Sequence, residues 1–256
     1  MLKPILLFGI LLQCAVGFGQ ESSVMKKIIG GAFVPLYGSD SSEVYIRDFE
    51  MDVYPVTNQQ FLAFVKKYPK WQRSKVKTLF ADKNYLRKWA SDTTLGDEML
   101  PQAAATNLSW YAAKDYCACQ DKRLPSMDEW EFAAMASETL PNAQTDSAFN
   151  QRIVESYELP KTYKNEVGGK FKNYWGIYDL HGLVWEWTSD FNSVLISGES
   201  RQDVDTERNL FCGSAAINAT NLMDYAAFMR YAFRGSINAN YSIQTLGFRC
   251  AKTSKP

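Results

Sequence analysis

Apolar positions come in short bursts along this chain, and their spacing changes from strand-like to helix-like and back. Ile28 to Val34 and Val44 to Phe49 read as two strands joined by a turn around Gly38 and Asp40. Thr57 followed by Gln60 makes a capping box, and Phe61, Leu62, Phe64 and Val65 then carry helical spacing, so a helix is predicted over 58–67. A second helix starts at Ser109 as N-cap and runs from Trp110 to about Gln120. A third starts from Ser126 and Glu129 and runs through Trp130, Phe132 and Ala133 to about Ser137. Pro125 keeps the intervening Arg123-Leu124 out of helix. The stretches 71–107 and 138–172 lack sustained periodicity and read as long loops. After Gly176 the signals are short and β-like, at Val184 to Trp187, Leu210 to Ala215, Phe228 to Phe233 and Leu246 to Ala251. With no repeat and no Pro/Gly/Ser linker, the expectation is one irregular α+β domain with short strands, about three helices and long loops.

Residues 1–19 have a different pattern. Lys3 precedes an apolar centre from Ile5 to Val16, and Gly17 and Gly19 are the small residues a signal peptidase accepts. Cleavage is expected before Gln20, which leaves 20–256 as the mature domain in a periplasm or outside the cell. Gln13 argues against acylation of Cys14. No later run reaches the roughly 18 apolar residues of a membrane span. Of the five cysteines, Cys14 leaves with the leader; Cys117, Cys119, Cys212 and Cys250 remain, an even set in an oxidising compartment.

Charge and composition remove several functions. The sequence holds 28 basic and 28 acidic residues, so it lacks the basic excess that a sequence-independent grip on nucleic acid requires. One histidine, His181, rules out sites built from two or three imidazoles of this chain. A nucleophilic triad would need His181 as its base, yet it sits between Leu180 and Gly182 in a segment that reads as structural; a satisfied histidine is the expectation.

Five blocks, in order, carry a resemblance. They are 28–33 (Ile-Ile-Gly-Gly-Ala-Phe), 54–61 (Tyr-Pro-Val-Thr-Asn-Gln-Gln-Phe), 108–131 with Arg123-Leu124-Pro125-Ser126 and Glu129-Trp130-Glu131, 173–187 ending in Val184-Trp185-Glu186-Trp187, and 246–250 ending in Phe248-Arg249-Cys250. Together they resemble the formylglycine-generating enzyme (sulfatase-modifying factor) family, whose fold is related to C-type lectins. The resemblance implies a structural role for Arg123, Glu129, Trp130, Trp185, Glu186, Trp187 and Arg249. It also implies a bridge between Cys117 and Cys250, with Cys119 and Cys212 either forming a second bridge or staying as thiols.

The same resemblance exposes two departures. Oxidase members use a cysteine pair to bind copper(I), and soft thiolates are the appropriate ligands. The corresponding stretch, from Gly213 to Arg234, contains no cysteine, and Ile217 stands about where the first would fall. A common Gly-Asn calcium motif is replaced by Gly182-Leu183, which removes a side-chain oxygen; Glu186 is left either as a lone donor or as an acceptor for backbone amides or an arginine. The family's iron branch needs several imidazoles. No cofactor is therefore expected, with calcium, or copper(I) clamped by Cys117 and Cys119, as the alternatives.

Trp110, Trp130, Trp175, Trp185 and Trp187 suggest a core more than a glycan platform, since each lies inside a structural motif. The polar stretch 192–224 is the candidate recognition segment. Arg230 and Arg234 are expected on one face, either gripping a carboxylate partner or paired inside with Glu186 and Asp179. The functional expectation is a non-oxidising member acting as a binding or structural module with an envelope or secreted protein partner, as in the cysteine-free gliding-motility and type IX secretion lipoproteins it resembles. The competitors are an oxidase with displaced cysteines and a lectin-like glycan binder.

Overall fold

The computed structural model describes residues 23–35, 43–192 and 222–254. The two N-terminal apolar runs each break in the middle and serve two sheets. The first becomes β1 (Met25–Ile28) and β2 (Gly31–Phe33), the second β3 (Val44–Ile46) and β4 (Phe49–Asp52). β2 pairs antiparallel with β3, while β1 pairs with β4, and β4 with β7 (Ala251–Thr253). The switch happens at Gly30, where an added Cβ would lie 2.0 Å from the Ile46 carbonyl oxygen, so only glycine fits. The Asp48 carboxylate accepts from the Gly30 N–H at 2.9 Å and holds the crossing.

The three predicted helices form where their caps lie. α1 (Asn58–Lys67) has the complete Thr57–Gln60 capping box, α2 (Trp110–Ala118) is capped by Ser109, and α3 (Met127–Ala134) has the Ser126–Glu129 box. Glu129 also receives both arms of Arg123, at 2.6 and 2.7 Å. One carboxylate thus caps α3 and fixes the chain that leads into it.

Among the described residues two further helices add to the three expected. α4 (Ser147–Glu158) lies in a stretch expected to be loop; its N-cap is Asp146, and Phe149 and Ile153 bury one face at helical spacing. α5 (Leu222–Gly235) replaces the strand expected over Phe228 to Phe233. Its buried positions, Ala226, Ala227, Phe228, Arg230, Tyr231 and Arg234, fall at i, i+1, i+2, i+4, i+5 and i+8, and α4 packs against it. The expected strand over 210–215 and most of the recognition stretch 192–224 lie outside the described residues.

The C-terminal apolar run is shared like the first two. β5 (Trp185–Glu186) pairs parallel with β6 (Leu246–Gly247), and Phe248 to Cys250 lead on to β7. The main core gathers α1, α2 and the 71–107 stretch around Phe61, Tyr116, Trp187 and Phe248. Long as it is, that stretch is no surface loop: Trp71, Tyr85, Leu86 and Trp89 are buried in the core. Cys117 and Cys250 are joined within it, tying α2 to the C-terminal strand region.

Candidate functional site

α3 turns two neighbouring residues, Trp130 and Glu131, into the interior. Glu131 meets α5. Arg230 Nε donates to both carboxylate oxygens at 2.9 Å and its Nη2 to Oε2 at 2.6 Å, while Arg234 Nη1 donates to Oε1 at 2.7 Å. The i, i+4 spacing on a helix puts both arginines on one face. Burial alone would raise the Glu131 pKa, but the two guanidinium charges outweigh it and hold the carboxyl below the usual glutamate range. Both guanidinium groups also stand over the Trp130 ring, 5.7 and 4.7 Å from its centroid.

Trp130 connects this cluster to a second ion pair. Its Nε1 donates at 2.8 Å to Glu186, whose two oxygens accept from Arg249 at 2.8 to 3.0 Å. Neither Glu186 nor Arg249 has exposed side-chain surface. Arg249 spends its remaining donors on the carbonyls of Asp52, Val53 and Tyr178, where β4 and the 173–187 block meet.

A directed chain of hydrogen bonds leaves the cluster on the other side. Arg230 Nη1 donates to the Tyr157 hydroxyl at 3.0 Å, and His181 lies between Tyr157 (Nδ1, 3.2 Å) and the Ala134 carbonyl (Nε2, 2.8 Å). A carbonyl only accepts, so Nε2 carries the proton and Nδ1 accepts from Tyr157. His181 is buried and neutral: desolvation, with the Arg230 charge second, pushes its pKa down to about 3. With both nitrogens engaged it serves the structure and offers no free base.

Above Trp130 opens a cleft of about 590 Å³, counted to its mouth. Trp185 forms one wall, stacked on Phe233 at 4.8 Å and tilted against Tyr157 at 5.0 Å. Leu183 and Val184 add apolar surface, Arg234 lies within reach of the interior, and Lys161 stands at the rim.

Residues 20–254 match the sulfatase-modifying factor enzyme 1-like domain family. The chain belongs to that family. It is 28% identical to the "Inactive C-alpha-formylglycine-generating enzyme 2" of Mus musculus, over 99% of this chain and 94% of that protein. It is also 28% identical to the "Formylglycine-generating enzyme" of Bos taurus, over 61% of this chain and 46% of the other. A third relative, the "Serine/threonine-protein kinase pkn1" of Chlamydia caviae, is 24% identical over 83% of this chain, which spans 34% of that protein. Among solved structures, CarF superposes with a TM-score of 0.53 at 14% identity, covering 91% of this chain and 99% of that one. PvdO of Pseudomonas aeruginosa gives 0.50 at 17%, covering 90% and 94%. These likenesses show the mixed α/β fold.

The metals associated with the family's active members do not fit the described residues. A copper(I) clamp needs two thiolates; Cys117 is bonded to Cys250, and Cys119, at the end of α2, is a single exposed thiol. Of the two alternatives left open for Cys119, a bridge or a thiol, the structure has the thiol, at an exposed position; Cys212 lies outside the described residues. Calcium fares no better at Glu186, because both carboxylate oxygens are committed to Arg249 and Trp130, and Leu183 points apolar surface into the neighbouring cluster. Among the described residues no three His, Cys, Asp or Glu side chains gather as a metal shell. Nor is any described helix long and apolar enough to cross a membrane.

The sulfatase-modifying factor motifs are accounted for by this network. Arg123 binds Glu129, Trp130 and Arg249 converge on Glu186, Trp187 is fully buried with its Nε1 on the Leu108 carbonyl, and Trp185 lines the cleft. Of the five tryptophans weighed as a platform, Trp130 and Trp187 belong to the core. Arg230 and Arg234 do share a face, but of a helix rather than a strand, and both are buried and paired with an acid inside the domain. Their acid is Glu131 rather than Glu186 or Asp179. Asp179 instead accepts from the Gly168 and Lys170 amides. Tyr157 and α4 were not anticipated; Asp146 as cap with Phe149, Ile153 and Tyr157 at i, i+4 and i+8 was the signal that could have revealed them.

Proposed function

We propose that this chain is a non-catalytic sulfatase-modifying-factor domain that works outside the cytoplasm, as a binding or structural module for a protein partner of the cell envelope. The observation that carries the reading is the cysteine-free stretch from Gly213 to Arg234, in a domain whose buried Cys117 is already used in a bridge. Without a thiolate pair in that stretch there is no two-sulfur site there for copper(I), and the exposed Cys119 is the single free thiol among the described residues. The description of the mouse relative as inactive agrees with this. The leader pattern of residues 1–19 and the bridge between Cys117 and Cys250 support an oxidising location.

The test is direct. The mature protein, incubated with copper(I), oxygen and a peptide carrying the sulfatase cysteine motif, should produce no formylglycine by mass spectrometry. Aldehyde above the no-protein control would overturn the reading. N-terminal sequencing of protein recovered from cells should begin at Gln20, and cross-linking in intact envelopes should join the chain to a defined protein.

A further inference from the structure

Among the described residues, the hydrogen-bonded network around Trp130 carries an unbalanced charge. Arg230, Arg234 and Arg249 are connected through Trp130 to Glu131 and Glu186, three guanidinium groups against two carboxylates. Arg249 is matched by Glu186, and Arg230 takes most of Glu131, with three of the four contacts to it. The excess positive charge therefore falls on Arg234, whose one hydrogen bond among the described residues comes from Nη1. Asp190 is close enough to feel that charge, but its own oxygen accepts from the Met127 amide and desolvation raises its pKa, so it compensates poorly. A buried cation without a full counter-charge is costly, and the cost falls when an anion reaches it.

Arg234 is the arginine of the three that lines the cleft. The Trp185 ring, Leu183 and Val184, with the Tyr157 and Tyr163 rings to either side, give the cleft surface for an apolar body; the Glu186 carboxylate also lines it, with both oxygens committed to Trp130 and Arg249. The rim is held in place. Thr162 Oγ1 donates to the Leu183 carbonyl at 2.7 Å, and Gly182, at φ +78, packs its Cα onto Ser156. Lys161 adds an exposed cation at the entrance, where it would attract an anion before contact.

We propose that this cleft binds a small organic carboxylate, with the carboxylate on the Arg234 guanidinium and an aromatic or aliphatic body against Trp185. The site is independent of the partner-binding reading and of any thiol chemistry. Planar guanidinium matches planar carboxylate in two parallel hydrogen bonds, which favours this anion over a spherical one.

The experiment is calorimetric titration of the mature protein with 3-phenylpropionate, and in parallel with 3-phenylpropionamide, which has the same body and no charge. The expected result is saturable one-to-one binding of the carboxylate and at least about tenfold weaker binding of the amide. Arg234→Gln disturbs the core, so two variants at the cleft wall and rim keep the test sound: Trp185→Leu and Lys161→Glu should each weaken the carboxylate several-fold. Urea titrations of both variants check that they are folded. Absence of saturation into the millimolar range, equal binding of acid and amide, or binding that neither variant weakens would each overturn the proposal.

Discussion

Glu131 and Arg230 lie 99 residues apart in sequence and meet in the interior through three hydrogen bonds of 2.6 to 2.9 Å, fastening α3 to α5. Removing one partner of such a pair leaves the other charge buried, and here two guanidinium groups would be stranded. Glu131→Gln should therefore destabilise the domain by about 3–5 kcal/mol, read from the urea midpoint at constant m-value. Replacing the exposed pair Arg152–Glu138 should change the midpoint hardly at all. Equal effects would mean that the buried cluster is not what joins the two helices.

His181 makes stability depend on mildly acidic pH. Its pKa falls from the usual 6.5 to about 3 in the folded chain, so below pH 6.5 the unfolded chain binds a proton that the folded one does not. Stability is then lost as pH falls from about 6.5 towards 3, with a slope of about 1.4 kcal/mol per pH unit where only this group titrates. Between pH 6.5 and 5.5 the difference between the parent chain and His181→Gln isolates it, because burial-raised carboxylates such as Asp179 and Asp190 contribute to both. His181→Gln should be less stable at pH 7 and lack that part of the slope across the window, as measured by denaturant titrations at half-unit steps.

The bridge between Cys117 and Cys250 closes a separation of 133 positions. In the chain-entropy model a loop of that size contributes on the order of 4–5 kcal/mol, an upper figure because residual unfolded structure reduces it. Cys250→Ala should lower the denaturation midpoint strongly, and Cys119→Ser, at an exposed thiol, should leave it unchanged. Non-reducing peptide mapping checks the pairing independently.

Gly182 adopts φ +78, and a Cβ there would lie 2.6 Å from the Ser156 Cβ. Gly182→Ala should cost about 1–3 kcal/mol from backbone strain and crowding together. The double variant Gly182→Ala with Ser156→Gly should regain part of it, because the clash is removed and the strain is not. Thermal unfolding of the three variants separates the two contributions.

Local chemistry was legible in the sequence. A capping box acts over three residues, so Thr57 with Gln60 and Ser126 with Glu129 set the starts of α1 and α3 without help from the rest of the chain. The cysteine-free interval before Arg234 needs no coordinates either, and it is what separates this chain from copper chemistry. The blocks 28–33 and 246–250 were also visible as apolar runs. That the first divides between two sheets was not, because the division depends on the Ile46 carbonyl and the Asp48 carboxylate approaching Gly30 from another segment.

The run from Phe228 to Phe233 reads as a strand in the sequence, and packing against α4 makes it part of a helix instead. The same packing selected the acid for the two arginines. Glu131, Glu186 and Asp179 carry the same charge in sequence, and only the fold brings Glu131 to Arg230 and Arg234, Glu186 to Arg249, and Asp179 to backbone amides. The sequence by itself determined the family, the caps and the missing thiolates, since each rests on residue identity or on contacts within one turn. The tertiary structure alone decided the pairing of buried charges and the cleft above them, because Coulomb attraction acts on distance in space, which residue numbering does not record.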